Sequence, residues 1–251
     1  MNNQKPIIIA NWKMKLSLAQ SQNLARAIKK KVTKEDEIVI CPSFICLLAV
    51  GKILKGSNIK LGAQDCFWES EGAYTGEVSA NQLREAGCDY VILGHSERRK
   101  YLQETDEIVH QKIRMALAVG LTPIVCVGET FDERQKGSQD YVLIRQTTRA
   151  FEGIEIGKKE IIIAYEPVWV IGTGQAISPA DAASAHQVIR QTLFDIFPPE
   201  LVRNNFRIVY GGSVDHSNVS AFVNLENTSG VLVGGASLNT EEFISLIHTS
   251  Y

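Results

Sequence analysis

The stretch Ile161-Ile162-Ile163-Ala164-Tyr165-Glu166 is five apolar residues in a row, closed by a carboxylate. A strand with one wet face alternates in polarity. A strand covered on both faces reads as an unbroken apolar run, and sheets buried in that way are parallel. Seven more short, largely apolar runs lie outward from this one, at residues 7–10, 38–41, 59–63, 90–93, 123–127, 206–210 and 231–233. The gaps between them carry helix signals. Leu24, Ala27 and Ile28 form an i, i+3, i+4 stripe, and Lys29, Lys30 and Lys31 follow at the end where the helix dipole favours cations, which reads as a solvated helix end. Ser43 after Pro42, Ser79 and Thr105 stand where N-caps are expected. Ser178-Pro179-Ala180-Asp181 joins a capping serine, a proline at the first helical position and an early acid, and Thr240-Glu241-Glu242 opens the last helical segment.

Eight strand–helix units at an average spacing of about 30 residues fill the chain, and no linker or composition shift interrupts them. An open doubly wound sheet and a closed barrel both satisfy that alternation. Eight repeats in 251 residues match the dimension of the barrel. The expected fold is therefore α/β, a closed parallel (β/α)8 barrel, as a single domain over residues 1–251.

Composition narrows the class of function. With 45% hydrophobic and 22% charged residues the chain has globular usage. Lysine and arginine number 26 against 28 acids, a net charge of −2, so no basic surplus serves a nucleic acid or an anionic membrane. An anionic ligand would need local positive potential. Cys41, Cys46, Cys66, Cys88 and Cys126 are odd in number and show no C-x-x-C, which points to buried small hydrophobes in a reducing compartment. Residues 6–10 are too short for a secretory core, and the longest apolar stretch, 44–50, is far short of a membrane span. A soluble, cytoplasmic protein is expected.

In a barrel the site lies where the strands end. The first run ends in Ala10-Asn11-Trp12-Lys13, the fourth in Gly94-His95-Ser96-Glu97 and the sixth in Glu166. The last two runs end in Gly211-Gly212-Ser213 and Gly234-Gly235. Glycine lets backbone N–H groups approach an anion, and the loops after the last two strands are the frequent phosphate site of barrels. Gly172-Thr173-Gly174 begins like a dinucleotide fingerprint, but Ile177 occupies the third glycine's place and the segment lies too late in the chain. Glu166 reads either as half of a salt bridge, with Lys13 a possible partner, or as a base in a partly dry site. Only His95 among five histidines stands at a strand end; His110, His186, His216 and His248 read as surface or packing residues. After Glu166, Pro167-Val168-Trp169-Val170-Ile171-Gly172 gives an apolar tip with an exposed Trp between proline and glycine, the makeup of a lid.

With these residues in view the sequence resembles the triosephosphate isomerase family. The matching segments are ANWKMK at 10–15, GAQD at 62–65, GAYTGEVS at 72–79, GHSERR at 94–99, CVGET at 126–130, AYEPVWVIGTG at 164–174, YGGSV at 210–214 and GVLVGGASL at 230–238. The resemblance implies interconversion of dihydroxyacetone phosphate and glyceraldehyde 3-phosphate through an enediolate, with no cofactor and no metal. It implies Glu166 as base, His95 as electrophile, and Lys13 with Asn11 as the binder of negative charge. Glu97 is implied to orient Lys13, and the N–H groups of Gly172, Ser213, Gly234 and Gly235 to hold the phosphate. Residues 73–77, Thr75 leading, resemble the loop that reaches into a partner subunit, so a homodimer is implied. Two departures stand out. Val170 replaces the usual alanine of the lid. Asn227-Thr228-Ser229 replaces a common Asp-x-Asp, which removes an acidic partner from a basic residue, Arg99 being the candidate.

Rival barrel chemistries lack their residues. A Schiff-base aldolase wants a lysine where the sixth run ends in Glu166, and a metal-dependent epimerase wants several His and Asp ligands on different strands, where His95 stands alone. An idle phosphate-binding scaffold would keep the glycine turns and lose Lys13, His95 or Glu166, and all three are present.

Overall fold

All eight apolar runs are strands in the computed structural model, which describes residues 5–173 and 175–250. The strands are β1 (Ile7–Asn11), β2 (Glu37–Cys41), β3 (Lys60–Ala63), β4 (Tyr90–Leu93), β5 (Thr122–Val127), β6 (Ile161–Tyr165), β7 (Phe206–Tyr210) and β8 (Gly230–Val233). Each pairs in parallel with the next, and β8 pairs back onto β1, with Ile7 beside Gly230 and Ala10 beside Val233. The barrel is closed, and the open doubly wound alternative is ruled out.

Helices fill the crossovers: α1 (Leu18–Lys31), α2 (Leu47–Leu54), α3 (Ala80–Glu85), α4 (Ser96–Leu102), α5 (Asp106–Ala118), α6 (Phe131–Gln135), α7 (Gln139–Phe151), α8 (Pro179–Ile196), α9 (Pro199–Asn205), α10 (Val219–Val223) and α11 (Thr240–Thr249). Their starts follow capping chemistry. The Ser79, Thr105 and Ser178 side chains accept from the N–H groups of Gln82, Ile108 and Asp181. Ser43 departs from expectation: a 3₁₀ turn, Phe44–Cys46, follows it, and its hydroxyl contacts the Cys46 thiol instead of capping an N–H. No helix among the described residues is long and apolar enough to cross a membrane.

Side chains alternate across each strand, and both faces are buried. Ile7 and Ile9, Ile124 and Cys126, and Ile162 and Ala164 point into the barrel, where they pack as one cluster. Ile8, Ala10, Ile161, Ile163 and Tyr165 pack outward against the helices. The unbroken apolar pattern therefore reflects two cores. The parity also carries forward: two residues past Ala164 is Glu166, and two past Ile9 is Asn11, so both extend the inward row at the strands' ends. All five cysteines are buried free thiols. Burial raises Cys88 to about 12 and pushes Cys41, Cys66 and Cys126 well above the ordinary thiol range, so these four are protonated packing groups at neutral pH.

Two readings are corrected by the packing. Lys29 is not a solvated end: its ammonium donates to the carbonyls of Ile53 and Lys55, both at 2.8 Å, at the end of α2. Arg99 has no dependence on residues 227–229. It pairs with Asp106 at 2.6 Å and donates to the Gly94 carbonyl. The cation beside Ser229 is Arg207, which donates to the Ser229 carbonyl and pairs with Glu37 at 2.7 Å, so a carboxylate from elsewhere serves it.

Candidate active site

Glu166 enters the barrel mouth between two glycines. A Cβ on Gly128 would lie 1.7 Å from the Glu166 carbonyl oxygen, and one on Gly211 would lie 3.1 Å from its Cγ. Only a bare backbone on either side lets β6 run on into this carboxylate. The side chain is 2% exposed, and both of its oxygens are engaged. Oε2 accepts from the Ser96 N–H at 2.9 Å, and Oε1 lies 3.0 Å from His95 Nε2.

The start of α4 supplies these contacts. His95 is the helix's N-cap, and its Nδ1 accepts from the Glu97 N–H at 3.2 Å. An accepting nitrogen carries no proton, so the ring's proton sits on Nε2 and the imidazole is a neutral donor.

Lys13 arrives two residues past β1 with φ of +51°, a conformation rare for a residue with a side chain. Its N–H donates to Asn11 Oδ1 at 3.0 Å, and its carbonyl accepts from Gln64 Nε2 at 3.0 Å. The ammonium pairs with Glu97 at 2.6 Å. Glu97 thus presents its backbone to His95 and its carboxylate to Lys13.

Asn11, Lys13, His95 and Glu166 line one cleft of about 490 Å³, whose wall is continued by Gly172, Ser213, Gly234 and Gly235. The structure brings these predicted residues together, with Glu97 bonded to Lys13 behind them. Thr75 stands apart, exposed on a projecting loop. Among the described residues no group of three or more His, Cys, Asp and Glu is placed to hold a metal ion.

The segment after Glu166 forms a 3₁₀ turn, Val168–Val170. The expected exposed Trp is half-buried. Trp169 donates its indole N–H to Glu129 at 3.0 Å, and the Arg134 guanidinium lies 4.9 Å from the centre of its ring. Val170 is buried against the core. Glu129, itself fully buried, also accepts from the Tyr165 hydroxyl, and burial together with that carboxylate keeps the phenol well above its usual range. Gly174, at the expected far end of the lid, lies outside the described residues.

Sequence reading gave no role in the site to Gln64, Glu129, Arg134, His216 or Glu242. His216 and Glu242 line the same cleft. Their partners are distant in sequence, so no local pattern marks them.

Residues 6–250 match the family model described as triosephosphate isomerase. The chain belongs to the triosephosphate isomerase family. It is 45% identical over 251 residues to the triosephosphate isomerase of Chloroherpeton thalassium, covering 98% of this chain and 99% of that one. Over 247 residues it is 44% identical to the triosephosphate isomerase of Dictyoglomus thermophilum, covering 97% and 99%. A crystal structure of triosephosphate isomerase from Bartonella henselae superposes with a TM-score of 0.88 at 38% identity, covering 98% of each chain. As a member of the triosephosphate isomerase family, the chain is an isomerase built on that family's barrel.

Proposed function

We propose that this cleft interconverts dihydroxyacetone phosphate and D-glyceraldehyde 3-phosphate by moving a proton between adjacent carbons through an enediolate. The observation that carries the reading is the pairing of Glu166 with His95 Nε2 at 3.0 Å in the same cleft as Lys13 and the two glycine turns. Taking a proton from a carbon beside a carbonyl needs a base at the carbon and a donor at the oxygen where charge develops. Glu166 is the base and His95 the donor. In the structure the two face each other at 3.0 Å, and a substrate entering between them takes the place of that contact. Lys13 and Asn11 meet the negative charge of substrate and enediolate, with Glu97 orienting the ammonium. Backbone N–H groups of Gly172, Ser213, Gly234 and Gly235 bind the phosphate, and Trp169 moves with the lid. The reaction needs no metal and no cofactor.

The whole of 1–251 works as one barrel domain in a cytoplasmic homodimer. Support for the dimer comes from apolar side chains exposed after β1, β2 and β4: Met14 is 94% exposed, Ile45 82% and Tyr101 69%. Monomers seldom leave that much large apolar surface in water. The reading is tested by following glyceraldehyde 3-phosphate turnover in a coupled assay containing EDTA. Turnover that persists in EDTA is expected. A folded preparation that binds phosphate and turns nothing over would leave only a binding protein.

A further inference from the structure

The rim of the cleft carries a charge pair that the proton-transfer chemistry does not use. Asp215, His216 and Glu242 line it beside Ser213 and the Gly234–Gly235 turn. Both the backbone N–H and the ring Nδ1 of His216 reach one oxygen of Glu242, at 3.1 and 2.7 Å. His216 belongs to the loop after β7. Glu242 belongs to the first turn of α11, where its own N–H is held by Asn239 Oδ1 at 3.1 Å. The pair therefore bridges the two segments whose glycine turns form the phosphate recess. Asp215 fastens the loop from the other side, its carboxylate accepting from the N–H groups of Ser217 and Asn218.

The titratable groups that meet His216 are Asp215 in its own loop and Glu242 from α11. Glu242 is the stronger influence: its hydrogen bond holds the imidazolium above the usual histidine range, and the imidazole in turn holds the Glu242 carboxyl below its own. The Ser217 hydroxyl keeps Asp215 ionised. With His216 neutral, two carboxylates face a recess meant for a dianion. With His216 protonated, one of the two is neutralised and the bridge becomes charge-assisted.

We propose that His216 is a positioning residue whose charge sets oxyanion affinity: protonated, it locks the two phosphate loops together and offsets the rim carboxylates, and on losing its proton it loosens and repels a divalent phosphate-type ligand. The inference rests on the phosphate recess of the proposed isomerase.

Inorganic sulfate is the probe, because it stays divalent throughout and leaves only the protein to titrate. Its affinity for the full chain is measured by calorimetry from about pH 6 to about pH 9, spanning the histidine range upward. The parent should lose about three- to tenfold in affinity along one titration curve, the size of a single screened charge near the ligand. His216→Gln should sit at the weak level at every pH, His216→Lys at the strong level at every pH, and Glu242→Gln should move the midpoint to lower pH. A His216→Gln profile equal to the parent's, a flat parent profile, or a parent that binds no sulfate overturns the proposal. Isomerase turnover measured on the same samples separates the two claims: a parent that titrates as expected yet turns nothing over sinks the isomerase reading alone.

Discussion

Lys13 is held in the left-handed region by three partners, Asn11 at its N–H, Gln64 at its carbonyl and Glu97 at its ammonium. Such a conformation costs on the order of 1–3 kcal/mol, and it persists only where the surroundings fix it. What it achieves is an ammonium aimed back into the cleft from a residue that has already left β1. Lys13→Met keeps the length and removes the charge. Because the role proposed for the charge serves bound substrate and enediolate alike, KM should rise and kcat should fall together. A variant with unchanged KM would show that the ammonium acts in the transition state alone. What was legible at this scale is the convergence: Lys13, His95 and Glu166 each stand at a strand end, and the structure puts them in one cleft. Of their tethers, the pairing of Glu97 with Lys13 across 84 residues came only with the family resemblance, and that of Gln64 across 51 residues left no signal at all. The basic residue near Ser229 was misassigned for the same reason, since Arg207 finds its acid 170 residues away in Glu37.

The lid is an element with a resting place. Trp169 is bonded to Glu129 and covered by Arg134, and Val170 is packed in the core, so the proposed closure has to exchange these contacts for others over the ligand. An enediolate with phosphate on the neighbouring carbon can expel that phosphate, and the second task we propose for the lid is to hold the leaving group out of line while water is excluded. Deleting 169–171 and bridging with glycine should give a folded protein with weak substrate binding and slow turnover. A larger share of its intermediate should leave as methylglyoxal and inorganic phosphate, measured beside the isomerised product. An unchanged share would reduce the segment to a structural turn. The apolar sequence between Pro167 and Gly172 announced a special loop, but its docking on Glu129, 40 residues earlier, has no local trace. Ser43 shows the same limit: Pro42-Ser43 reads as a cap, and the chain makes a 3₁₀ turn there before α2 begins.

At the scale of the molecule the eight-fold alternation was sufficient, because strands buried on both faces have one composition wherever they occur and the closing pair β1–β8 needs no special residue beyond Gly230. A Cβ there would fall 2.0 Å from the Ile7 carbonyl oxygen. Assembly is written more faintly. The loop bearing Thr75 is exposed, and its base is pinned by the Phe67 N–H to the Val78 carbonyl at 2.8 Å and by Tyr74 packing on Phe67. An exposed loop pinned at its base is suited to a partner's recess. Thr75→Arg, which buries a charge in that contact, should convert the sedimenting species from dimer to monomer and lower activity with it. A parent chain that sediments as a monomer, or a variant that stays dimeric and fully active, would contradict the assembly proposed here.

In the proposed reaction the Glu166 carboxylate moves the proton while other groups bind the substrate. The most direct measurement compares Glu166→Gln with the parent in turnover and in affinity for inorganic sulfate. Glutamine keeps the shape of the side chain and its contact with the Ser96 N–H, and it cannot take the proton. Turnover should fall by about 10²–10⁴-fold, the usual share of a general base, while sulfate affinity holds. A loss of turnover below about tenfold, or a parallel collapse of sulfate affinity, would contradict the assignment of Glu166 as the base.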